Sequence, residues 1–469
     1  MVGKTSFVYA DPPSSVTSSN LDMFTSSQVL VDFQRSYEEI CFPPANSDGP
    51  VLEFEFKTPK TEYGGTVVDT RNIIVNLELQ LIDLIKSGGG GDDTTADAAE
   101  ESTAAAATDD SKAIETNRPI WVNNLSQSLF QNIEIYLNGT LVSSSNNLHP
   151  YKSILEADLS YDPHYKNGYL ATQGYVFEDN PKNFSDSTDK GFRRRFEIAS
   201  SGNKFYFSFQ INDCFLKGID KYLLPGVETR IRLTRALDQF VLLKTNEKCV
   251  PRNHSIKISS AFLTVHMLEL RNETFRSIEK GLLLKAAQFD YRENLIYSFL
   301  ISEGTSIYFK DDLFNRAPVS RLIFAMVPEE NFTGSYTTNP FNFEDFDLDT
   351  VRIIREGTPV GGTPINVGNS HVRIYASTMR ALGFDHGGNS ITLDNFSHHF
   401  CPVFNLNADL HLDDGTIRPE LTGARVGIEL KFEKATSKPI RLLIAGERRS
   451  VVLIDHNGEV IKNSTVYNG

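Results

Sequence analysis

The chain has 469 residues, with 46 Lys+Arg against 60 Asp+Glu and a formal net charge of −14. Hydrophobic residues make up 40% and charged residues 23%, the balance of a globular chain too long for a single core, so two or three domains are expected. The acidic balance disfavours sequence-independent binding to phosphate backbones outside a local patch.

Cys41, Cys214, Cys249 and Cys401 lie far apart with no CxxC pair, which excludes a disulfide scaffold and a sequence-local zinc site. The N-terminal stretch has no apolar core like that of a secretory signal, and no apolar run approaches the ~18–20 residues needed to span a bilayer. The chain is therefore expected to be made inside the cell without membrane insertion. Its eight Asn-X-Ser/Thr triplets then read as chance matches rather than glycan sites.

Along the chain, residues 1–25 are Ser/Thr-rich with Pro12-Pro13 and read as a flexible arm. From Val51 onward the dominant signal has period two. Val75, Leu77, Leu79 and Leu81 alternate with Asn76, Glu78 and Gln80, predicting a strand with one dry face. Residues 87–112, SGGGGDDTTADAAEESTAAAATDDSK, break the pattern; lacking any aliphatic residue larger than Ala, they are expected to form a disordered acidic loop within a domain. Ile133, Ile135 and Leu137 alternate with polar neighbours up to Asn138-Gly139, a hairpin signal because both residues tolerate positive φ.

The same alternation recurs in 205–211, 229–233, 256–270, 321–326, 351–355, 425–432 and 450–455. Helical periodicity is confined to Ser153–Tyr161 and Thr378–Gly383. Many strands joined by turn-rich connections predict an all-β chain of sandwiches. A weak internal echo supports two similar halves. GVETRIRL from Gly226 and GARVGIEL from Gly423 match in pattern, and each precedes an apolar segment, Phe240–Leu243 and Ile440–Ile444, expected to close its half.

Catalytic motifs are missing: there is no GxSxG, HExxH or GxGxxG, and Gly3-Lys4-Thr5 lacks the upstream part of a phosphate loop. Asp385, His386, Asp394, His398, His399 and Cys401 form the densest polar cluster. Neighbouring His398 and His399 point to opposite sides of an extended chain, however, and Phe396, Phe400 and Val403 interleave the cluster as in a packed loop. The Asp-rich insertion lacks the offsets of a calcium loop, and Asp413-Asp414 before Gly415 reads as a turn. Arg193-Arg194-Arg195 can face nucleic acid, an acidic neighbouring subunit or solvent. The remaining signal lies in two aromatic, proline-containing segments read as loops, Leu148–Tyr161 and Asn339–Phe346. Their rings must be covered by the chain's own core or by a partner.

These segments carry a family resemblance. Asn124–Gly139 (NLSQSLFQNIEIYLNG), Leu141–Tyr161 (LVSSSNNLHPYKSILEADLSY) and Val319–Phe346 (VSRLIFAMVPEENFTGSYTTNPFNFEDF) resemble the major capsid protein of Polinton/Maverick elements and adintoviruses. The likeness runs from about Asp32 to Ile454 and departs in the acidic insertion and around Gly357–Ser397. It implies an all-β double jelly roll: two consecutive eight-stranded antiparallel sandwiches with long inserted loops. The expected division is an arm (1–25), a first roll (26–248), a second roll (249–456) and a tail (457–469).

The resemblance further implies a structural protein without cofactor or small-molecule substrate. It would form homotrimers that pack with neighbouring trimers and with minor capsid or vertex proteins around double-stranded DNA, without sequence-specific nucleic-acid contact. Pro150, Tyr151, Tyr161, Asn339, Pro340, Phe341, Asn342, Phe343 and Phe346 are the candidate capsomer-loop or interface residues. The rivals are a single-roll vertex protein and a β-sandwich that binds or hydrolyses carbohydrate; one Trp and no clear carboxylate pair count against the latter.

Overall fold

The computed structural model describes residues 33–44, 48–84, 118–185, 189–200, 204–360, 363–368, 370–384, 388–406 and 424–463. The expected arm (1–25), the acidic loop (87–112), Asp385, His386 and the 413–415 turn lie outside them. So does the end of the expected tail.

Alternating side chains build two β-sandwiches. In the first, β1 (Phe33–Cys41), β10 (His254–Leu270), β3 (Thr66–Asp83) and β7 (Lys204–Gln210) lie side by side in that order. The facing sheet runs β2 (Val51–Lys57), β8 (Glu228–Arg235), β5 (Phe130–Leu137), β6 (Thr140–Ser144). A two-strand ribbon pairs β4 (Ile120–Trp121) with β9 (Leu242–Leu243). In the second sandwich, one sheet runs β11 (Ala287–Ile301), β19 (Ile440–Ile454), β13 (Arg321–Pro328), β17 (Val403–Asn405), with β20 (Val460–Asn463) on β19. The other runs β12 (Ile307–Lys310), β18 (Val426–Phe432), β14 (Leu348–Arg355), β15 (Thr358–Pro359), with β16 (Ile365–Asn366) also on β14.

Setting aside the small ribbon and the two extra strands, both sandwiches have one strand order. Counted within each unit, one sheet runs first–eighth–third–sixth and the other second–seventh–fourth–fifth. All pairings are antiparallel, and this interleaving of early and late strands is the jelly roll.

Local chemistry accounts for the elements. In β3, Val75, Leu77 and Leu79 are buried while Asn76, Glu78 and Gln80 face outward, half-buried. Asn138 and Gly139 both have positive φ (46° and 80°) and join β5 to β6 as the hairpin signal predicts. Four helices exceed two turns: α1 (His149–Ser160), α2 (Lys190–Ser200), α3 (Asn272–Leu284) and α4 (Val372–Leu382). Gly383, in left-handed conformation at φ 76°, closes α4.

The echo between GVETRIRL and GARVGIEL is structural, since β8 and β18 are the seventh strands of their rolls. The expected closing segment of the first half is not. Phe240–Leu243 forms one helical turn and the short β9, and the true eighth strand is β10, which pairs with both β1 and β3. The expected boundary at 248/249 would cut this strand from its sheet. The sheets instead change hands after Leu270, across α3. One apolar cluster runs without a break through the cores of both rolls.

Gly446 lies in β19 beneath Phe314. A Cβ there would fall inside the Phe314 ring's contact distance and sit 3.0 Å from Val319 Cγ1. Gly446→Val is therefore expected to destabilise the chain by about 1–3 kcal/mol, read as a lowered midpoint in chemical denaturation with secondary structure retained by circular dichroism.

Candidate functional site

The candidate residues converge on the seam between the rolls. Within Leu148–Tyr161, the helical candidate Ser153–Tyr161 is helix to Ser160, and the part before it, read from sequence as a loop, is helix too from His149. Pro150 sits in the first turn of α1, where its missing N–H costs nothing. Ten of the twelve residues of α1 are buried, because roll 1 lies on one side and segments of roll 2 on the other. Roll 1 holds it through His149, whose Nε2 bonds Gln127 Oε1 (2.9 Å), and through Ser153 Oγ, which accepts from Asn124 Nδ2 (2.9 Å). On the roll 2 side, Asn389 Nδ2 donates to the Leu159 carbonyl (3.2 Å), just before the helix ends.

Asn339–Phe346 is the matching part of roll 2. Asn339 Nδ2 donates to the Pro181 carbonyl of roll 1 (2.9 Å), while its Oδ1 accepts from Phe341 N (3.0 Å). Tyr151 joins the two segments: its ring stacks on Phe332 at 5.5 Å and meets Phe341 and Phe240 edge-on at 5.8 and 5.9 Å. Of the nine candidate residues, Pro150, Tyr151, Asn339, Pro340, Phe341, Asn342 and Phe343 are buried; Tyr161 and Phe346 are half-buried. The buried seven are covered by their own chain and cannot serve as exposed contacts between subunits without rearrangement. They are the mortar between two rolls of one molecule.

A second set of seam residues is polar. His399 Nε2–H donates to the Glu178 carbonyl (2.7 Å), its Nδ1 lies 3.5 Å from Asp158 Oδ2, and its ring stacks on Phe177 at 5.1 Å. Tyr175 OH donates to Asp158 Oδ1 (2.6 Å), and Lys166 Nζ donates to the Asp158 carbonyl (2.8 Å). Arg195, the last residue of the basic run, is fully buried in an ion pair with Glu178, whereas Arg193 and Arg194 face solvent.

Burial pushes the Asp158 carboxyl up, but His399, Lys166 and the Tyr175 hydroxyl outweigh it and hold the group below the ordinary aspartate value. Burial dominates at Glu178, whose pKa lies above the usual carboxylate value despite Arg195. Cys401 is buried and its thiol pushed well up. Among the described residues no three His, Cys, Asp or Glu side chains are grouped to hold a metal; of the sequence cluster, His399 is committed to Glu178 and Asp158. Nor is any described helix long and apolar enough to cross a membrane.

Sequence reasoning missed Phe240 and Phe332 as partners of Tyr151, and Asp158, Lys166, Tyr175 and Glu178 as partners of His399 and Arg195. No spacing in the sequence marks these pairings, which bridge residues up to 241 positions apart.

The fold defined by these two equivalent sandwiches is the double jelly roll. The same fold occurs, at low sequence identity, in viral capsids. A chain of the Sputnik virophage structure matches with TM-score 0.64 and 11% identity over 96% of this chain and 92% of that one. The mavirus major capsid protein (TM-score 0.51, 10% identity) covers 100% and 96%, and the Faustovirus major capsid protein (TM-score 0.51, 10% identity) covers 89% and 90%. Among curated proteins, the uncharacterized protein F54H12.2 of Caenorhabditis elegans is 23% identical over 322 residues, 67% of this chain and 74% of that protein. No family model matches.

Two measurements check this account of the seam. Tyr151→Ala removes the ring that three other rings pack against, and is expected to cost about 3–5 kcal/mol of unfolding free energy by denaturant titration. The second concerns pH. His149 is buried, and burial, with Lys152 and Lys217 nearby, holds its pKa well below the ordinary histidine value. The folded state therefore rejects a proton that the unfolded chain takes up below about pH 6.5, so this stabilisation is complete above that pH and lost as pH falls. Between pH 7 and 5 the parent chain should lose about 2 kcal/mol more than His149→Gln, read from paired denaturation curves.

Proposed function

We propose that the chain is a viral major capsid protein: it trimerises into pseudo-hexagonal capsomers that tile an icosahedral shell around double-stranded DNA. One observation carries the reading. Two rolls of identical strand order are fused through a buried seam, in a fold shared over nine-tenths of the chain with the mavirus and Faustovirus major capsid proteins. Two equivalent modules per chain let three chains present six similar corners, so a three-fold particle fills a six-fold place in a closed shell. The sequence resemblance to Polinton/Maverick and adintovirus proteins favours a source of that kind. Assembly would take place in the host cell, with minor capsid and vertex proteins as further partners.

Because the aromatics of the seam are consumed inside the chain, contacts between copies fall to other surfaces. Edge strands are the natural place: β1 and β12 each pair on one side only. Ile40 of β1 and the adjacent Phe42 are exposed, as are Ile307 and Phe309 of β12 (60% and 54%). On β2, the equivalent of β12 in roll 1, the outward positions are Val51, Glu53, Glu55 and Lys57, with Glu53 3.3 Å from Arg230. Exposed apolar residues on an edge strand mark a contact surface.

Size-exclusion chromatography with light scattering should give a trimer, and negative-stain images should show three-fold particles or closed shells. A monomer at micromolar concentration, or a pentamer, would contradict the reading. Phe309→Asp is expected to weaken the trimer at least tenfold while leaving the circular dichroism spectrum unchanged, because the ring contributes little to its own fold.

A further inference from the structure

The two rolls differ at one edge. Roll 1 closes the end of its sandwich with β6 and β7, five and seven residues long. In roll 2 the equivalent strands β15 and β17 have two and three residues, and β16 adds only two. The sheets therefore part at this edge, and α4 lies across the gap. Beneath α4 is a pocket of about 200 Å3 between β14 and β17.

Its apolar lining includes Val351, Ile353, Phe404 and Ala381, all buried core residues. Among the described residues its polar lining carries Arg352 and Arg380 and no carboxylate, in a chain of net charge −14. Glu429 is 3.4 Å from Arg352 Nη1, but Arg352 Nε is buried without a hydrogen-bond partner. The Arg380 side chain is exposed and makes no ion pair or hydrogen bond among the described residues. Arg373 Nη2 donates to the rim hydroxyl of Thr363 (3.4 Å), adding a third cation at the mouth.

We propose that this pocket binds a small organic anion, a carboxylate carrying one aryl or short acyl group. The apolar part would enter between the sheets and the carboxylate would meet the exposed Arg380 guanidinium at the mouth. The apolar interior disfavours a bare, strongly hydrated ion, because such an ion would lose its water against hydrocarbon. The cationic mouth disfavours a neutral hydrocarbon relative to an anion, since arginine pairs with carboxylates by charge-assisted hydrogen bonds. A cavity of about 150 Å3 is already large enough for a benzene ring, so one ring fits the space available. This assignment is independent of the capsid reading, because it concerns a pocket inside one roll and a chain that forms no shell would still carry it.

The test is calorimetric titration of the full-length protein with phenylacetate, its neutral isostere phenylacetamide, and acetate. Phenylacetate should bind saturably and at least tenfold more tightly than either control. Arg380→Gln should weaken it about tenfold, the scale of one lost charge-assisted contact. Ala381→Phe, which fills the pocket, should abolish it. Equal binding of the amide, an unchanged affinity in Arg380→Gln, or retained binding in a folded Ala381→Phe would each overturn the proposal. Methyl NMR of the unmutated chain locates the ligand even where Ala381→Phe fails to fold: shifts must centre on Ile353, Ile365 and Ala381, and shifts centred elsewhere overturn it.

Discussion

The burial of α1 between two sandwiches is the constraint on which the rest of the molecule depends. Each jelly roll satisfies its own inner faces, so nothing in either one requires the other. The helix changes that, because ten of its twelve residues are buried and its partners come from both rolls, Gln127 and Asn124 on one side and Phe332, Phe341 and Asn389 on the other. Tyr151 concentrates the effect, touching Phe240 from roll 1 and Phe332 and Phe341 from roll 2. Aromatic pairs at these distances favour offset or edge-on geometry, so the cluster fixes angle as well as proximity. Two independently plausible domains thereby become one rigid body with a continuous core.

The polar half of the seam acts differently. Asp158, His399, Glu178 and Arg195 are buried ionisable groups, and such groups cost desolvation energy that their pairing only partly returns. An all-apolar seam of the same area would hold at least as tightly. What the polar groups add is geometric selectivity. His399 reaches both the Glu178 carbonyl and the Asp158 carboxylate only at one relative placement of the rolls, and a slipped arrangement would leave buried groups unpaired.

Much of this fold is legible in the sequence, and the failures have identifiable causes. Period-two alternation in β3, and the two positive-φ residues after β5, are local properties that tertiary structure has no reason to override. The match between β8 and β18 survives because equivalent strands in the two rolls bury equivalent faces. The boundary between the rolls failed because Phe240–Leu243 imitates a closing strand in composition. Its apolar residues serve one helical turn and a two-residue ribbon beneath the seam. The helical periodicity of Ser153–Tyr161 is borne out by α1, which ends at Ser160; only the first turn was hidden, because Pro150 reads locally as a breaker although the first turn of a helix tolerates it. The pairing of Tyr151 with Phe341 crosses 190 positions, and no local pattern encodes it.

Committing the seam to intrachain packing also decides where any association between copies must occur. The aromatic segments Leu148–Tyr161 and Asn339–Phe346 are spent on joining the rolls, so they set how the rolls meet rather than their outer faces. The faces are left to edge strands, and there the two rolls have diverged. Roll 1 presents Glu53 and Glu55 on β2, while roll 2 presents Ile307 and Phe309 at the equivalent β12. A roll 2 edge of one copy therefore differs chemically from a roll 1 edge of the next, although their backbones follow the same path. Identical edges would allow any roll to meet any other and would leave register unspecified. A charged β2 edge would lose hydration against the apolar β12 edge, so these two edges are not interchangeable, and Ile40 of β1 with the adjacent Phe42 adds an apolar edge to roll 1. A chain built from two copies of one topology thus gains a direction from side chains alone.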